Sequence, residues 1–347
     1  MSAKSVPLRK LGKNGPSVPA LGLGLMGMSF AYGTILSDEE RFKFLDRAVE
    51  LGATFWDSAD LYGDSEELIG KWFKRTGKRN DILIATKFGF LKGTGFRGFD
   101  SSAAYCKQAC EKSLELLGID YIDLRRRRAD YLHRPNADTP IEETMRALAE
   151  LKAEGKIRNI GLSNVTSNTL RRAYKISPIA AVQIEYSPFD LNIESAKDTN
   201  LLATCRELGV TVVCFAPLGR GLLTTKFSSG EYGTDKADMR LASLLRFMEK
   251  NRAADMKLVN KFKGLADKKG YTTAQLSLAW LLKQGEDIIP IPGTKTIKYL
   301  EENWGALNVH LTDEDELEIR NFVERVEIAG GSAPEGIRAL IDTKEET

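Results

Sequence analysis

Two rhythms of apolar and polar positions alternate along this chain. Short apolar runs with period two or no gaps read as strands, and between them apolar residues return every three or four positions, as on one face of a helix. Ser37-x-x-Glu40 has the pattern of a capping box, which predicts a helix through Leu51 closed by Gly52. A strand is predicted over 53–57. A helix over 65–75 follows, with Leu68, Ile69, Trp72 and Phe73 on one face. Ile82 to Lys87 reads as a buried strand, and a helix over 101–117 ends at Gly118. Thr139 as N-cap, Pro140 at N1 and Glu142 at N3 predict a helix running to Glu154 and stopping at Gly155.

Counted through the chain, strands centre near residues 21, 54, 83, 122, 159, 183, 212 and 289. Strands that alternate with helices in this way predict an α/β fold, a closed (β/α)₈ TIM barrel. The Gly and Pro spacing over 8–25 predicts an N-terminal β-hairpin ahead of the barrel. Residues 223–266 break the repeat, which predicts a long loop over the C-terminal face with one or two short helices. One domain over 1–347 is expected, with a core over 8–326 and a loosely packed tail over 327–347.

Composition narrows the classes. The 347 residues are 42% hydrophobic and 28% charged, an ordinary globular balance. A net charge of +2 gives no reason to expect nucleic acid or a membrane surface as partner. Four cysteines without a CxxC pair or a nearby histidine predict no zinc site, and reduced thiols in a cytoplasmic protein. Gly22-Leu23-Gly24-Leu25-Met26-Gly27 matches GxGxxG, but the segment after Gly27 has no helical face, and Asp57 comes 30 positions later. A Rossmann loop opens directly into a helix and finds its acid about 20 positions on. The preferred reading is therefore a first barrel strand with a glycine-rich exit.

Candidate chemistry gathers at strand ends. Asp57 closes one strand and Tyr62 sits in the loop after it; Lys87 closes the next, and His133 ends the fourth. Each alone has an ordinary structural explanation. Together, at the rim where a barrel keeps its chemistry, they suggest a phenol tuned by a lysine–carboxylate pair. An adjacent ammonium is expected to lower the phenol's pKa, making it a general acid for a carbonyl oxygen, with a neutral imidazole to hold that oxygen. Trp56, Phe88, Phe90 and Phe96 are candidates for an apolar pocket wall.

These motifs resemble the aldo-keto reductase superfamily. The matching segments are Asp57-Ser58-Ala59-x-x-Tyr62-Gly63-x-x-Glu66, Ala85-Thr86-Lys87, His133-Arg134-Pro135, Gly161-Leu162-Ser163-Asn164, Gln183-x-Glu185-Tyr186-Ser187, Ala216-Pro217-Leu218-Gly219-x-Gly221 and Ile291-Pro292-Gly293-Thr294. Met26-Gly27-Met28 and His133-Arg134-Pro135-Asn136 are similar to the branch holding perakine reductase and the auxin-induced-protein-like reductases. The resemblance implies NADPH-dependent reduction of aldehydes, with ketones as a second candidate substrate class. Tyr62 would be the proton donor, Lys87 and Asp57 would tune it, and His133 would orient the carbonyl. It further implies that Ser163, Asn164 and Gln183 hold the nicotinamide carboxamide and that Phe215 stacks on its ring. Leu218, Gly219, Arg220 and Gly221 would line the pyrophosphate. Gly293, Lys295, Lys298, Glu302 and Asn303 would meet the adenosine, the two lysines favouring a 2′-phosphate.

One segment departs from the pattern. Arg125-Arg126-Arg127-Arg128-Ala129-Asp130 stands between Asp123-Leu124 and Tyr131-Leu132-His133, about five residues more than the family's fourth strand. Alternation would turn some of these arginines into a packed interior, which is too costly for unpaired guanidinium groups. The run must bulge outward or the strand must restart after it. A natural insertion, a spurious addition of codons and a basic import or nucleic-acid patch are the three readings. The alternative function is an NADPH-binding regulatory subunit, or a weakly active reductase if His133 is displaced.

Overall fold

The computed structural model describes residues 6–94, 98–119, 128–195, 200–228, 235–240, 244–325, 328, 330 and 340–346. A hairpin of β1 (Leu8–Lys10) and β2 (Ser17–Pro19) precedes eight parallel strands. These are β3 (Leu23–Gly24), β4 (Phe55–Asp57), β5 (Leu83–Phe88), β6 (Arg128–Leu132), β7 (Asn159–Ser163), β8 (Ile179–Glu185), β9 (Thr211–Phe215) and β10 (Ile288–Pro290), paired in chain order. The Gly22 and Gly24 amides donate to the Pro290 and Pro292 carbonyls at 2.9 and 3.2 Å, and Gly24 bridges Gly293 in parallel. The first and last strands are thereby joined and the barrel closes.

Two apolar layers result. Inside the barrel, Phe55, Leu83, Ala85, Tyr131, Ala181, Val213 and Ile289 pack on Leu11 and Val18 of the hairpin, which plugs the bottom. Outside it, helices bury their apolar faces on the sheet. Trp56 points into this outer layer, edge-on to Trp72 at 4.9 Å, and Phe88 joins the same cluster. Both therefore belong to packing rather than to the pocket wall expected of them. Phe96 lies outside the described residues.

Several expected elements are met. The capping box of Ser37 and Glu40 forms and opens α1 (Asp38–Glu50), and Gly52 follows with φ 82°. Helix α2 (Ser65–Thr76) ends in a left-handed Gly77, and α3 (Ala103–Leu117) in a left-handed Gly118. The start of α4 (Ile141–Ala153) differs: Pro140 is its N-cap and no side chain caps it. Glu142 is drawn instead to Arg172, 2.7 Å away on α5 (Ser167–Ile176).

Two corrections concern the end of the chain. Part of the expected loop over 223–266 is α7, a helix over Glu249–Lys269, since α6 is Leu201–Leu208. Leu258, Val259, Phe262, Leu265 and Ala266 are buried along it, and its polar residues masked that stripe in the sequence. The remaining helices of eight or more residues among the described ones are α8 (Thr273–Lys283), α9 (Ile297–Gly305) and α10 (Asp313–Val323). Residues 340–346 do not pack loosely either. Ile341 bridges Val165 in parallel, and Thr343 is buried.

The fourth barrel strand runs over 128–132, with Lys87 opposite Tyr131 on one side and Tyr131 opposite Gly161 on the other. Residues 120–127, which hold most of the expected start of this strand and most of the arginine run, lie outside the described ones. Gly161 makes room for the neighbouring ring, since a Cβ there would sit 2.3 Å from Tyr131.

Candidate active site at the C-terminal rim

Alternation along the strands builds the site. On four of them an inward apolar residue is followed, two positions on, by an inward polar one: Phe55 then Asp57, Ala85 then Lys87, Tyr131 then His133, Ala181 then Gln183. The apolar member belongs to the barrel core, and the polar member reaches the C-terminal mouth.

Lys87 is fully buried, and its Nζ donates to Asp57 Oδ1 at 2.5 Å and to the Ser58 carbonyl at 2.7 Å. The other Asp57 oxygen accepts from Gln183 Nε2 at 2.6 Å. Burial pushes the carboxyl pKa up and the ammonium pKa down, and each partner opposes the shift of the other. With every Asp57 oxygen bonded and two ammonium hydrogens placed, the pair stays ionic, because either charge alone would be costly here.

Tyr62 is 8% exposed, and the Lys87 ammonium lies 5.1 Å from its ring centroid. The turn that brings it there needs Gly63 at φ 56°, where a Cβ would sit 2.5 Å from the Ser29 carbonyl oxygen. The expected lowering of the phenol pKa is not found. Burial, then the Asp57 charge, hold it well above its ordinary value. Lys87 is neutralised by Asp57, so dehydration dominates.

The His133 ring meets the Tyr62 ring edge-on at 5.8 Å. Burial, then Lys87 and Arg134, hold the imidazole pKa well below its ordinary value. The ring is therefore neutral near pH 7, and its buried Nδ1 has no partner among the described residues. Phe90 stands edge-on to His133 at 4.8 Å, and Phe99 packs on Phe90 at 4.9 Å.

Beside this group, Ser163 is buried and Asn164 adopts φ 57°. Asn164 Nδ2 donates to the His133 carbonyl at 3.1 Å and to Ser163 Oγ at 2.9 Å. Asn164 and Gln183 thus keep their amide oxygens as acceptors, and the Ser163 hydroxyl keeps its proton, which is the set a primary carboxamide requires. Phe215 ends β9 facing inward with the Arg220 guanidinium 5.9 Å from its ring. After it, Ala216, Gly219, Arg220 and Gly221 all have positive φ. Such a turn makes a concavity that suits an anion. Leu218 is buried beneath it. Arg220 is held charged, with Glu185 at 3.7 Å and the Tyr32 hydroxyl at 3.5 Å.

At the last strand, Gly293 lies against Gly24 and a Cβ there would meet the Gly24 carbonyl at 3.0 Å. Asn303 is buried on α9, with Glu302 beside it and Lys298 exposed a turn earlier. Lys295 differs from the sequence reading of a cation awaiting phosphate. Its ammonium donates to the Tyr32 and Thr34 carbonyls at 2.8 and 2.9 Å. The loop after β3 is fixed further by Met239, whose amide donates to the Ala31 carbonyl at 3.0 Å. Arg240 lies over the Tyr32 ring and donates to the Arg220 carbonyl at 2.7 Å.

Tyr32, Phe99 and Arg240 escaped the sequence reading. Only packing between segments distant in the chain assigns them.

Comparison with known proteins identifies the family. The chain is 48% identical over 345 residues to aldo-keto reductase str7 of Strobilurus tenacellus, covering 98% of each chain. It is 46% identical over 341 residues to aldo-keto reductase yakc [NADP(+)] of Schizosaccharomyces pombe, covering 97% of each. Among solved structures, a thermostable aldo-keto reductase, Tm1743, superposes with TM-score 0.70 at 30% identity over 91% of this chain and 99% of that one. The glycerol dehydrogenase AKR11B4 of Gluconobacter oxydans superposes with TM-score 0.77 at 25% identity, over 94% and 97%. A sequence model described as the aldo/keto reductase family matches residues 20–324, and the chain belongs to that family of oxidoreductases.

Proposed function

We propose that this protein reduces aldehydes, and some ketones, to alcohols with NADPH, in the branch that holds perakine reductase and in the cytoplasm. The observation that carries the reading is the convergence of Tyr62, the Asp57–Lys87 pair and the neutral His133 at one rim. NADPH supplies the hydride when bound. Ser163, Asn164 and Gln183 match its carboxamide, and Phe215 offers a ring face for the nicotinamide. The left-handed turn of Leu218, Gly219, Arg220 and Gly221 receives the pyrophosphate. Gly293, Lys298, Glu302 and Asn303 receive the adenosine end, with Lys295 holding the loop beside it.

His133 offers its ring N–H to the carbonyl oxygen and fixes it near Tyr62. Tyr62 gives that oxygen its phenolic proton, and the Lys87 ammonium, 5.1 Å from the ring, offsets part of the charge left behind until solvent restores the proton. A phenol with a raised pKa remains protonated through neutral pH, so the donor carries its proton when substrate binds. Phe90 and Phe99 wall the side next to His133 and favour aromatic aldehydes.

Steady oxidation of NADPH with 4-nitrobenzaldehyde tests the reading. Tyr62→Phe is expected to lower kcat by roughly 100-fold or more, the usual weight of a positioned general acid, while still binding NADPH. Wild-type protein that binds NADPH without turning over any aldehyde of a panel would reject the reductase.

A further inference from the structure

Residues 340–346 run beside the two loops that carry His133 and Asn164. The Ile341 amide donates to the Asn164 carbonyl at 2.8 Å, and the Thr166 amide donates to the Ile341 carbonyl at 3.1 Å. This pairing grips Asn164, whose backbone is left-handed without being glycine. At the other end, the Lys344 amide donates to the Ala137 carbonyl at 2.8 Å, four positions beyond His133. Between them, Asp342 accepts from Thr169 Oγ1 at 2.7 Å, Thr166 Oγ1 at 3.0 Å and Asn168 Nδ2 at 3.2 Å. Arg172 donates to the Thr343 and Lys344 carbonyls at 2.8 and 2.6 Å while pairing with Glu142.

The contacts form a path with two ends in the site. Asn164 Nδ2 donates to the His133 carbonyl, so the two loops are tied to each other on the inside and to residues 340–346 on the outside. Removing the outer tie leaves the Asn164 carbonyl and the Thr166 amide without their partners. The left-handed turn at Asn164 then loses what over-determines it, and such a turn relaxes when its surroundings permit.

We propose that residues 340–346 are a clasp that sets the positions of Asn164 and His133, and that Ile341 and Asp342 are positioning residues for the reduction. The inference rests on the function proposed above, and it assigns to the end of the chain a part in orienting both the carboxamide and the carbonyl. Ile341 acts through its backbone, so Asp342 is the side chain through which the clasp can be released.

The test compares Asp342→Ala, Asp342→Asn and Arg146→Ala. Arg146 pairs with Glu346 at the far end of the clasp and touches neither loop's site residue. Asp342→Ala is expected to weaken NADPH binding about tenfold and to lower kcat about fivefold, with faster amide exchange over 131–137 and 163–167. Asp342→Asn, which keeps an acceptor oxygen, is expected to recover to within about threefold of wild type, and Arg146→Ala to match wild type. Asn168→Ala removes one donor only and serves where Asp342→Ala does not fold; about a twofold loss of NADPH affinity is expected. A variant that melts earlier yet keeps wild-type affinity, kcat and exchange over both segments overturns the clasp. If wild-type protein fails to reduce aldehydes, the proposed function falls, and the exchange comparison still decides the clasp.

Discussion

Asp57, Lys87 and Gln183 reach the rim from strands, whereas Lys295 and Ile341 reach it from loops. The first set is bonded within a dry interior: the Asp57–Lys87 pair is 2.5 Å long, with both partners buried. The second set holds backbone carbonyls or amides of neighbouring loops near the surface, as Lys295 does with Tyr32 and Thr34. A strand-borne group is placed by the whole barrel and can move only if the barrel moves. A loop-borne group is placed by a few hydrogen bonds that a ligand can rearrange. The strand set is therefore suited to chemistry and the loop set to admitting and holding a cofactor.

Substitutions separate the two sets most sharply at Lys87. Lys87→Met leaves Asp57 buried without its cation, which costs about 3–5 kcal/mol of stability. It should also lower kcat by roughly 100-fold or more, as thermal melting and NADPH oxidation would show. Lys295→Ala acts on the loop set. Its expected result is a weakening of NADPH binding by about tenfold, with kcat changed less than twofold, read by titrating NADPH fluorescence. NADH affinity measured beside it tells whether the lysine also senses the 2′-phosphate; an unchanged preference for NADPH assigns it to the loop alone. A large loss of kcat in this variant would erase the distinction between the sets.

Two smaller effects sharpen it. Phe90→Ala removes an edge-on ring worth about 0.5–1.5 kcal/mol, so KM for 4-nitrobenzaldehyde should rise by several-fold while that for a short aliphatic aldehyde changes little. Asp60, in the loop between Asp57 and Tyr62, has its pKa pushed up to about 7 by burial and then by the Glu66 charge. The folded state therefore binds this proton more tightly than the unfolded chain. Stability from this group is complete below about pH 4, the ordinary carboxyl range, and is lost as pH rises through 7. Asp60→Asn should melt higher than wild type at pH 8, by about 1 kcal/mol or about one to two degrees, and the gap should shrink at pH 5.

The same division explains what the sequence disclosed. A period of two places Asp57, Lys87, His133 and Gln183 on inward positions, and it requires nothing beyond local order. Ser37 with Glu40 declares a helix start by the same local means. Lys295 was found as a residue but not in its present bonds, since its partners lie some 260 positions away in sequence. Helix α7 was hidden by its charged residues. The Ile341 pairing with Asn164 has no signature in a Gly-, Ala- and charge-rich tail. The raised pKa of Tyr62 depends on how far Asp57 cancels Lys87, a quantity that follows only from their distance and burial.

The central claim is that Tyr62, Lys87, Asp57 and His133 act as one unit, and a double-mutant cycle tests it most directly. The kcat of Tyr62→Phe, Lys87→Met and the double variant would be measured with saturating NADPH and 4-nitrobenzaldehyde. If the lysine works through the phenol, removing both should cost about as much as removing one, as for residues of a catalytic unit. Losses that multiply, so that the double variant falls by the product of the two single effects, would contradict the account.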